Sequence, residues 1–322
     1  MHAAIKDIEY YLPKKILTNE QLVCDFPGWT ADKIKEKTGV GTRYVVDDNE
    51  CASDLAYKAA KKLFESGKCK PSDIDFLLLC TQSPDYFLPT TACILQERLN
   101  LLNSCGALDF NLGCSGYIYG LSLAKGLIES DQAKNVLLIT AETYSKYIRQ
   151  DDKSTRAIFG DAAAATLLEG NNTGVQFIYP VTFGTDGRGA NNLIVPGGAM
   201  REKSTEAYLD MNGPEIFTFT LRVIPALVEE ILTKADKSFA NIDLFVFHQA
   251  NKYMLDHLRD KLKIPKEKFY IFMEDIGNTV SSTIPIALKH ALDDERIRSG
   301  NLVMLVGFGV GYSWGGTIIK IL

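Results

Sequence analysis

A cysteine flanked by glycines, Cys114 in "NLGCSGY", has the chemistry that is easiest to infer from the sequence. Gly113 precedes it, Gly116 follows two places later, and the strand-like "DFNL" gives way there to an apolar helical run. A thiol at a helix start lies near unpaired backbone N–H groups and partial positive charge, which favour the thiolate. A thiolate can attack a thioester to form an acyl-enzyme, and the same N–H groups can bind an oxyanion. We therefore predict that Cys114 is the nucleophile of an acyl transfer.

Two further polar side chains stand where predicted elements begin or end. His248, in "FHQAN", ends an apolar strand, and Asn278, in "GNTVSSTIP", precedes a helical run. Taken alone, such a histidine is more often a structural hydrogen-bonding residue, and the asparagine could be a helix N-cap. The case for catalysis therefore depends on whether the fold brings both residues to Cys114.

An internal repeat supports that convergence. "IDFLLLC" from 74 resembles "IDLFVFH" from 242, "GCSGYIYGLSLAKGLIES" from 113 resembles "GNTVSSTIPIALKHALDD" from 277, and "NVLLITAETYS" from 135 resembles "NLVMLVGFGVGYS" from 301. The common order and spacing predict two similar α/β halves, 1–170 with the thiol and 171–322 with the histidine and asparagine. In each half, helices should cover a mostly buried sheet. Element ends that correspond in the two halves would then meet where the halves pack.

Composition narrows the functional classes. The 322 residues are 46% hydrophobic and 23% charged, as in a globular protein, and the net charge of -5 argues against nucleic acid as the main partner. The start "MHAAIKDIEYYLPKK" lacks a signal-peptide pattern, and no apolar run approaches the length of a membrane span. We expect a cytoplasmic protein. The seven cysteines are odd in number and without CxxC spacing, so neither a disulfide framework nor a zinc site is predicted.

A set of segments spread over the chain resembles one known family. They are "YYLPKKILTNEQL", "KTGVGTRY", "TQSPDYFLPTTACILQ", "NLGCSGY", "IFGDAAAAT", "FHQAN", "GNTVSSTIP" and "GFGVGYSWGG". In this order they resemble β-ketoacyl-acyl-carrier-protein synthase III, a condensing enzyme. The resemblance implies a thiolase-like α/β fold in which two pseudo-symmetric halves form α/β/α/β/α layers, with no cofactor and no metal.

The resemblance also implies an activity. Cys114 would take an acyl group from acyl-CoA, after which malonyl on an acyl carrier protein would lose CO2 and attack the acyl-enzyme to give a β-ketoacyl product. His248 and Asn278 would donate hydrogen bonds to the thioester enolate. The backbone N–H groups of Cys114 and Val310 would bind the oxygen of the acyl group. Val310 is a departure, because the family usually has glycine at that place.

Other roles follow only from the resemblance. Substrate-binding side chains are expected at Lys37, Lys153, Asn251, Phe159, Leu209 and Phe308, the last three lining the primer pocket. Leu88 in "YFLP" would help close the acyl tunnel of the partner in a homodimer. A separate prediction follows from charge: an acidic acyl carrier protein needs a basic face, and Lys252, Arg259 and Lys261, just after "FHQAN", are the candidates, although Asp256 and Asp260 interrupt them.

Three alternatives bear on this interpretation. "GFGVGYSWGG" superficially suggests a dinucleotide loop, but it precedes the strand "TIIKIL" and opens no helix, which argues against an NAD-dependent oxidoreductase. A partner subunit without catalytic activity would be expected to lack Cys114. An acyltransferase that passes the Cys114 acyl group to an alcohol or amine stays open, as does delivery of the primer by a carrier protein instead of CoA.

Overall fold

Two five-stranded sheets form the frame of the structure, a computed structural model that describes residues 1–203 and 206–322. The first sheet contains, in spatial order, β1 (His2–Tyr11), β7 (Ala162–Asn171), β6 (Asn135–Glu142), β4 (Phe76–Cys80) and β5 (Gly106–Phe110). The second contains β8 (Thr182–Thr185), β14 (Ser313–Lys320), β13 (Leu302–Gly309), β11 (Leu244–Phe247) and β12 (Phe269–Tyr270). Two small ribbons pair β2 (Lys15–Thr18) with β3 (Thr42–Val45) and β9 (Leu193–Ile194) with β10 (Asp210–Met211).

The described residues form nine helices. They are α1 (Asn19–Asp25), α2 (Ala31–Thr38), α3 (Ala52–Glu65), α4 (Thr91–Arg98), α5 (Gly116–Glu129), α6 (Lys153–Arg156), α7 (Gly213–Ala235), α8 (Lys252–Leu262) and α9 (Thr283–Asp293). Short 3-10 turns include Tyr144–Tyr147 and Val280–Ser282.

The two sheets have the same pattern of strand directions. In the first, β4 is parallel to β5 and β6, whereas β7 is antiparallel to β6 and β1. In the second, β11 is parallel to β12 and β13, whereas β14 is antiparallel to β13 and β8. The order of the elements along the chain is also the same. The internal repeat of the sequence is therefore a repeat of the fold.

Five layers result from the packing of helices on both faces of each sheet. The helices α5 and α9 lie between the sheets in one apolar cluster that includes Leu138 of β6 and Leu305 of β13. Helices α3 and α4 cover the outer face of the first sheet, and α7 and α8 cover the outer face of the second. The α/β/α/β/α architecture expected from the sequence is confirmed.

The central position explains why most of α5 and all of β4 are apolar. Tyr117, Ile118, Leu121 and Ala124 of α5 have no exposed surface, because this helix packs between two sheets. The strand β4, "FLLLC", is likewise a continuous apolar run with helices on both faces. The strand β4 ends near the point where α5 begins, since the Sγ of Cys80 donates to the carbonyl of Leu112 at 3.0 Å, and the turn at that point carries Cys114.

Helix α7 is 23 residues long, contains Pro225 and begins at the N-cap Asn212. Neither it nor any other helix of the described residues combines the length and apolarity that crossing a membrane would require.

Candidate active site

Cys114 lies in the turn between β5 and α5, where glycines allow close packing. The N–H of Gly116 donates to the carbonyl of Gly113 at 2.7 Å, which closes the turn. The end of β13 packs directly on the thiol, since a Cβ on Gly309 would lie 2.8 Å from the Cβ and 2.9 Å from the Sγ of Cys114. Only 6% of Cys114 is exposed. The glycine-rich segment of the second half therefore forms one wall of the site.

The electrostatics of Cys114 differ from the sequence-based expectation. Burial raises the pKa of its thiol to about 12, and the buried carboxyl of Glu142 adds to this rise. The backbone N–H groups of Cys114 and Val310 lower the pKa and so oppose this rise without cancelling it. The N–H groups at the helix start act on the pKa in the predicted direction, but burial outweighs them. The thiol is neutral and needs a base.

His248 follows β11 and is almost fully buried. Its backbone N–H donates to the carbonyl of Val306 at 2.8 Å, which extends the pairing of β11 with β13 by one residue. Its Nδ1 lies 2.7 Å from the Oγ1 of Thr283, and its ring meets that of Phe308 edge-on with 5.6 Å between centroids. Burial lowers the pKa of His248 to about 3, so the imidazole is neutral and one of its ring nitrogens carries no hydrogen.

The side chain of Asn278 is held by backbone groups on both sides. Its Oδ1 accepts from the N–H of Val280 at 2.9 Å, and its Nδ2 donates to the carbonyl of Ala250 at 3.2 Å. The second hydrogen of the amide is left for a ligand. Backbone contacts with Ile158 and Gly160 connect the same residue to the first half of the chain.

A cavity of about 370 Å³ brings these groups together. Cys114, His248 and Asn278 all line it. The rest of its wall is mainly apolar, with Phe159 and Phe308 among the lining residues. Asn251 also lines it and, in addition, caps α8 by accepting from the N–H of Met254 at 2.8 Å. A thiol, a neutral imidazole and an amide donor thus face one apolar space.

Two other predicted substrate-binding residues line an adjoining polar cavity of about 760 Å³, which shares Met211, Gly213 and Pro214 with the first. They are Lys153 and Leu209. The ammonium of Lys153 lies 5.4 Å from the centroid of the Trp29 ring, a cation–π contact at the mouth. Lys37 is exposed near the end of α2, outside both cavities as the described residues define them.

The residues predicted to meet protein partners lie on the surface. Leu88 is 87% exposed and follows Phe87, which is 72% exposed. On α8, Lys252 forms an ion pair with Asp256, and Arg259 pairs with Asp256 at 2.9 Å and with Asp260 at 2.7 Å. Lys261 donates to the carbonyl of Leu221 at 2.8 Å. The positive charges of this helix are thus largely balanced by its own carboxylates.

Sequence reasoning missed three buried polar groups around the thiol. Glu142, at the end of β6, accepts hydrogen bonds from Ser83 and Ser281, and burial raises its pKa to about 8. Ser313 donates to the carbonyl of Val310 at 2.9 Å and lies 2.6 Å from the hydroxyl of Ser115, which connects the turn of Cys114 to the glycine-rich loop.

The third missed residue is Thr283, the partner of His248. It stands inside the motif "GNTVSSTIP", but nothing in the motif distinguishes its hydroxyl from the neighbouring Ser281 and Ser282. The hydrogen bond joins residues 35 positions apart and could be recognised only from the fold.

Known proteins match the chain along its whole length. The family model described as 3-oxoacyl-[acyl-carrier-protein (ACP)] synthase III matches residues 108–187, and the one for its C-terminal part matches 232–321. A Clostridium perfringens protein named beta-ketoacyl-[acyl-carrier-protein] synthase III is 37% identical over 318 residues, 97% of each chain.

Solved structures agree with the sequence matches. A crystal structure of a 3-oxoacyl-(acyl-carrier-protein) synthase III is 49% identical, with a TM-score of 0.98 and all of both chains covered. A 3-oxoacyl-(acyl-carrier protein) synthase from Burkholderia xenovorans is 37% identical, with a TM-score of 0.95, and the match covers 100% of this chain and 94% of the other. The chain therefore belongs to the β-ketoacyl-acyl-carrier-protein synthase III family of condensing acyltransferases.

Proposed function

We propose that Cys114 takes an acyl group from an acyl-CoA primer and that malonyl on an acyl carrier protein then condenses with it, with loss of CO2. The observation that carries this proposal is the single apolar cavity lined by Cys114, His248 and Asn278. Membership of the family and the names of the relatives, which specify an acyl carrier protein, support the same reaction.

The loading step uses one wall of the site. His248, neutral because of burial, removes the proton of Cys114, and the thiolate attacks the acyl thioester. The backbone N–H groups of Cys114 and Val310 both lower the pKa of the thiol, which supports their proposed role of binding the oxyanion that forms on the carbon next to the sulfur. Valine at position 310 keeps the required N–H.

The condensing step uses Asn278 and, again, His248. Loss of CO2 from malonyl places negative charge on the thioester oxygen, and the free amide hydrogen of Asn278 together with His248 stabilises it. The backbone contacts of Asn278 fix its Nδ2 toward the cavity, so the donor is ordered before the substrate arrives. The apolar lining excludes water and strengthens both hydrogen bonds.

The substrate approaches through the polar cavity. Lys153 and Asn251 are proposed to contact CoA or the phosphopantetheine arm, with Lys37 near the outer mouth. Phe159, Leu209 and Phe308 are proposed to surround the acyl group, since all three are buried beside the thiol. No cofactor is needed for either step.

A homodimer in the cytoplasm is part of the proposal. The strand β5 is an edge of the first sheet, Leu108 on it is exposed, and the apolar side chains of Phe87 and Leu88 lie at the surface. An exposed apolar segment of this kind is typical of a protein interface. Leu88 would then reach the acyl tunnel of the second copy. The mass of the protein in solution tests this association.

The nucleophile gives the direct test of the proposed function. Cys114→Ala should form no acyl adduct with any acyl-CoA and produce no β-ketoacyl carrier protein, because no other thiol lies in the cavity wall as the described residues define it. Intact mass measurement followed by peptide mapping detects the adduct, and Cys93→Ala, which changes an exposed cysteine, is the control. An acyl label on Cys80 or Cys93 in the parent protein would contradict the assignment.

A further inference from the structure

The backbone of one residue, Val280, orients the side chains of both Asn278 and His248. Val280 has a φ of 55°, a left-handed conformation that β-branched residues rarely adopt. In this conformation its N–H donates to the Oδ1 of Asn278 at 2.9 Å, and its carbonyl accepts from the hydroxyl of Thr283 at 3.0 Å. The same hydroxyl lies 2.7 Å from the Nδ1 of His248. The strained residue thus sets up a chain that runs from its carbonyl through Thr283 to the imidazole.

The direction of this chain follows from the number of protons. A threonine hydroxyl has one hydrogen, and a backbone carbonyl can only accept. If the hydrogen of Thr283 is directed at Val280, the remaining contact is satisfied only when Nδ1 of His248 carries a hydrogen and donates it to the hydroxyl oxygen. The opposite arrangement loses the bond from the hydroxyl to the carbonyl of Val280, which then keeps the backbone N–H of Thr283 as its donor. Thr283 is 1% exposed and His248 is 2% exposed, so a hydrogen bond lost there is not replaced by one to water, and the arrangement that keeps both bonds is favoured.

We propose that Thr283 fixes His248 in the tautomer protonated at Nδ1, so that Nε2 is the ring nitrogen that takes up protons in both half-reactions. Thr283 is a positioning residue in this account, because it acts through His248. The inference rests on the proposed function for the reactions, whereas the tautomer itself is a property of the protein without substrate.

The loading step takes up and releases no proton overall. Nε2 takes the proton of Cys114, the S–C bond of the acyl-enzyme forms, and the bond to the CoA sulfur breaks. The departing thiolate takes the proton back from Nε2. His248 therefore ends the step as it began, neutral and with its hydrogen on Nδ1.

The condensing step consumes one proton overall, because a carboxylate becomes CO2 and a thioester sulfur becomes a thiol. The anionic malonyl group favours uptake of a proton from water at Nε2, by the attraction of opposite charges. The N–H formed in this way donates to the thioester oxygen during decarboxylation. After the C–C bond forms, Cys114 leaves as a thiolate and takes that proton. The hydrogen bond from Nδ1 to Thr283 is kept throughout.

Nitrogen NMR of the protein without substrate tests the tautomer directly. The chain has four histidines, so ¹⁵N-histidine labelling gives few signals, and His248→Gln assigns the one of interest. We expect a protonated, pyrrole-type Nδ1 and an unprotonated, pyridine-type Nε2 at neutral pH. The opposite pattern in the parent protein would overturn the proposal. This outcome is independent of whether the protein condenses acyl groups, so it is separate from a failure of the proposed function.

Variants of Thr283 test whether its hydroxyl, through the tautomer of His248, controls the rate at which Cys114 is acylated. Thr283→Val keeps the shape and removes the hydrogen bond, and it should slow single-turnover acylation of Cys114 about ten- to a hundred-fold, as is typical for the loss of a partner that orients a working histidine. Thr283→Ser keeps the hydroxyl and should restore most of the rate and the tautomer.

The control is Thr317→Val, which removes another fully buried hydroxyl that donates to a backbone carbonyl, that of Tyr179 at 2.9 Å. It should leave both the rate and the ¹⁵N pattern unchanged. If Thr283→Val loads at the parent rate, Thr283 does not position His248. If that variant fails to fold, the tautomer of the parent protein and the behaviour of Thr283→Ser decide the question.

Discussion

Cys114 and His248 line the same cavity of the folded protein as a neutral thiol and a neutral imidazole. Burial is the leading cause in both cases, since it raises the pKa of the thiol to about 12 and lowers that of the imidazole to about 3. An apolar site of this kind disfavours any charge that has no partner. Ionisation therefore belongs to the reaction itself, when an oxyanion or the malonyl carboxylate supplies the opposite charge.

Glu142 is another buried residue whose ionisation affects the protein, in this case through the free energy of unfolding. Its folded pKa of about 8 lies above the usual value of a glutamate, because burial dominates over the hydrogen bonds from Gln82, Ser281 and Ser83, and Asp161 adds to the rise. The folded state thus prefers the protonated carboxyl. As the pH rises from about 4.5 to about 8, the unfolded chain ionises first, and the free energy of unfolding falls.

Glu142→Gln should remove this pH dependence. Each unit of pKa separation corresponds to about 1.4 kcal/mol, so the loss of stability between pH 5 and pH 8 should be smaller in the variant by more than about 1 kcal/mol. Urea unfolding at the two pH values measures it, and Glu65→Gln, on the exposed end of α3, serves as the control. Equal pH dependence in parent and Glu142→Gln would show that Glu142 is not the responsible group.

At the scale of elements, α8 connects the catalytic cavity to the surface. Its N-cap, Asn251, lines the cavity, and its positive side chains lie further along the helix. Asp256 balances two of these charges, which weakens the attraction that α8 offers to an acidic partner. Docking of the acyl carrier protein on α8 stays a prediction.

Charge reversal tests this prediction. Changing Lys252, Arg259 and Lys261 to Glu should raise the KM for malonyl carrier protein by about tenfold at low salt, since a steering field acts on association. The rate of loading from acyl-CoA should change little. A matched triple reversal at Lys61, Lys234 and Arg298, which also pair with carboxylates on the surface, is the control. An unchanged KM at low salt would place docking on another face.

At the scale of the whole molecule, the repeat made the architecture predictable. Apolar strands such as "FLLLC" and the apolar residues at helical spacing in α5 indicate burial in the core from sequence alone. The two sheets have the same strand order, so the segments that resemble each other in the sequence occupy equivalent places in the two halves. The boundary between 170 and 171 stays a prediction.

What the sequence could not provide lies in contacts between distant segments. The pKa of Cys114 depends on how tightly Gly309 and Glu142 pack around the thiol, and a local motif shows only the helix start. The hydrogen bonds of Glu142 to Ser281 and of Thr140 to Ser282 span the two halves. Such pairs have no periodic signature, so they become visible only after the sheets and helices have been placed.

The central claim is that the protein condenses with decarboxylation, and Asn278 separates this activity from simple acyl transfer. The measurement is release of labelled CO2 from malonyl carrier protein by Asn278→Ala, together with intact-mass detection of acylated Cys114. The control is Asn301→Ala, which changes an asparagine that accepts from the N–H of Arg298 at an exposed turn. We predict acylation to the extent of the parent protein and CO2 release lowered about a hundred- to a thousand-fold, as for loss of one oxyanion donor. Release of CO2 at the parent rate would contradict the condensing mechanism and favour an acyltransferase.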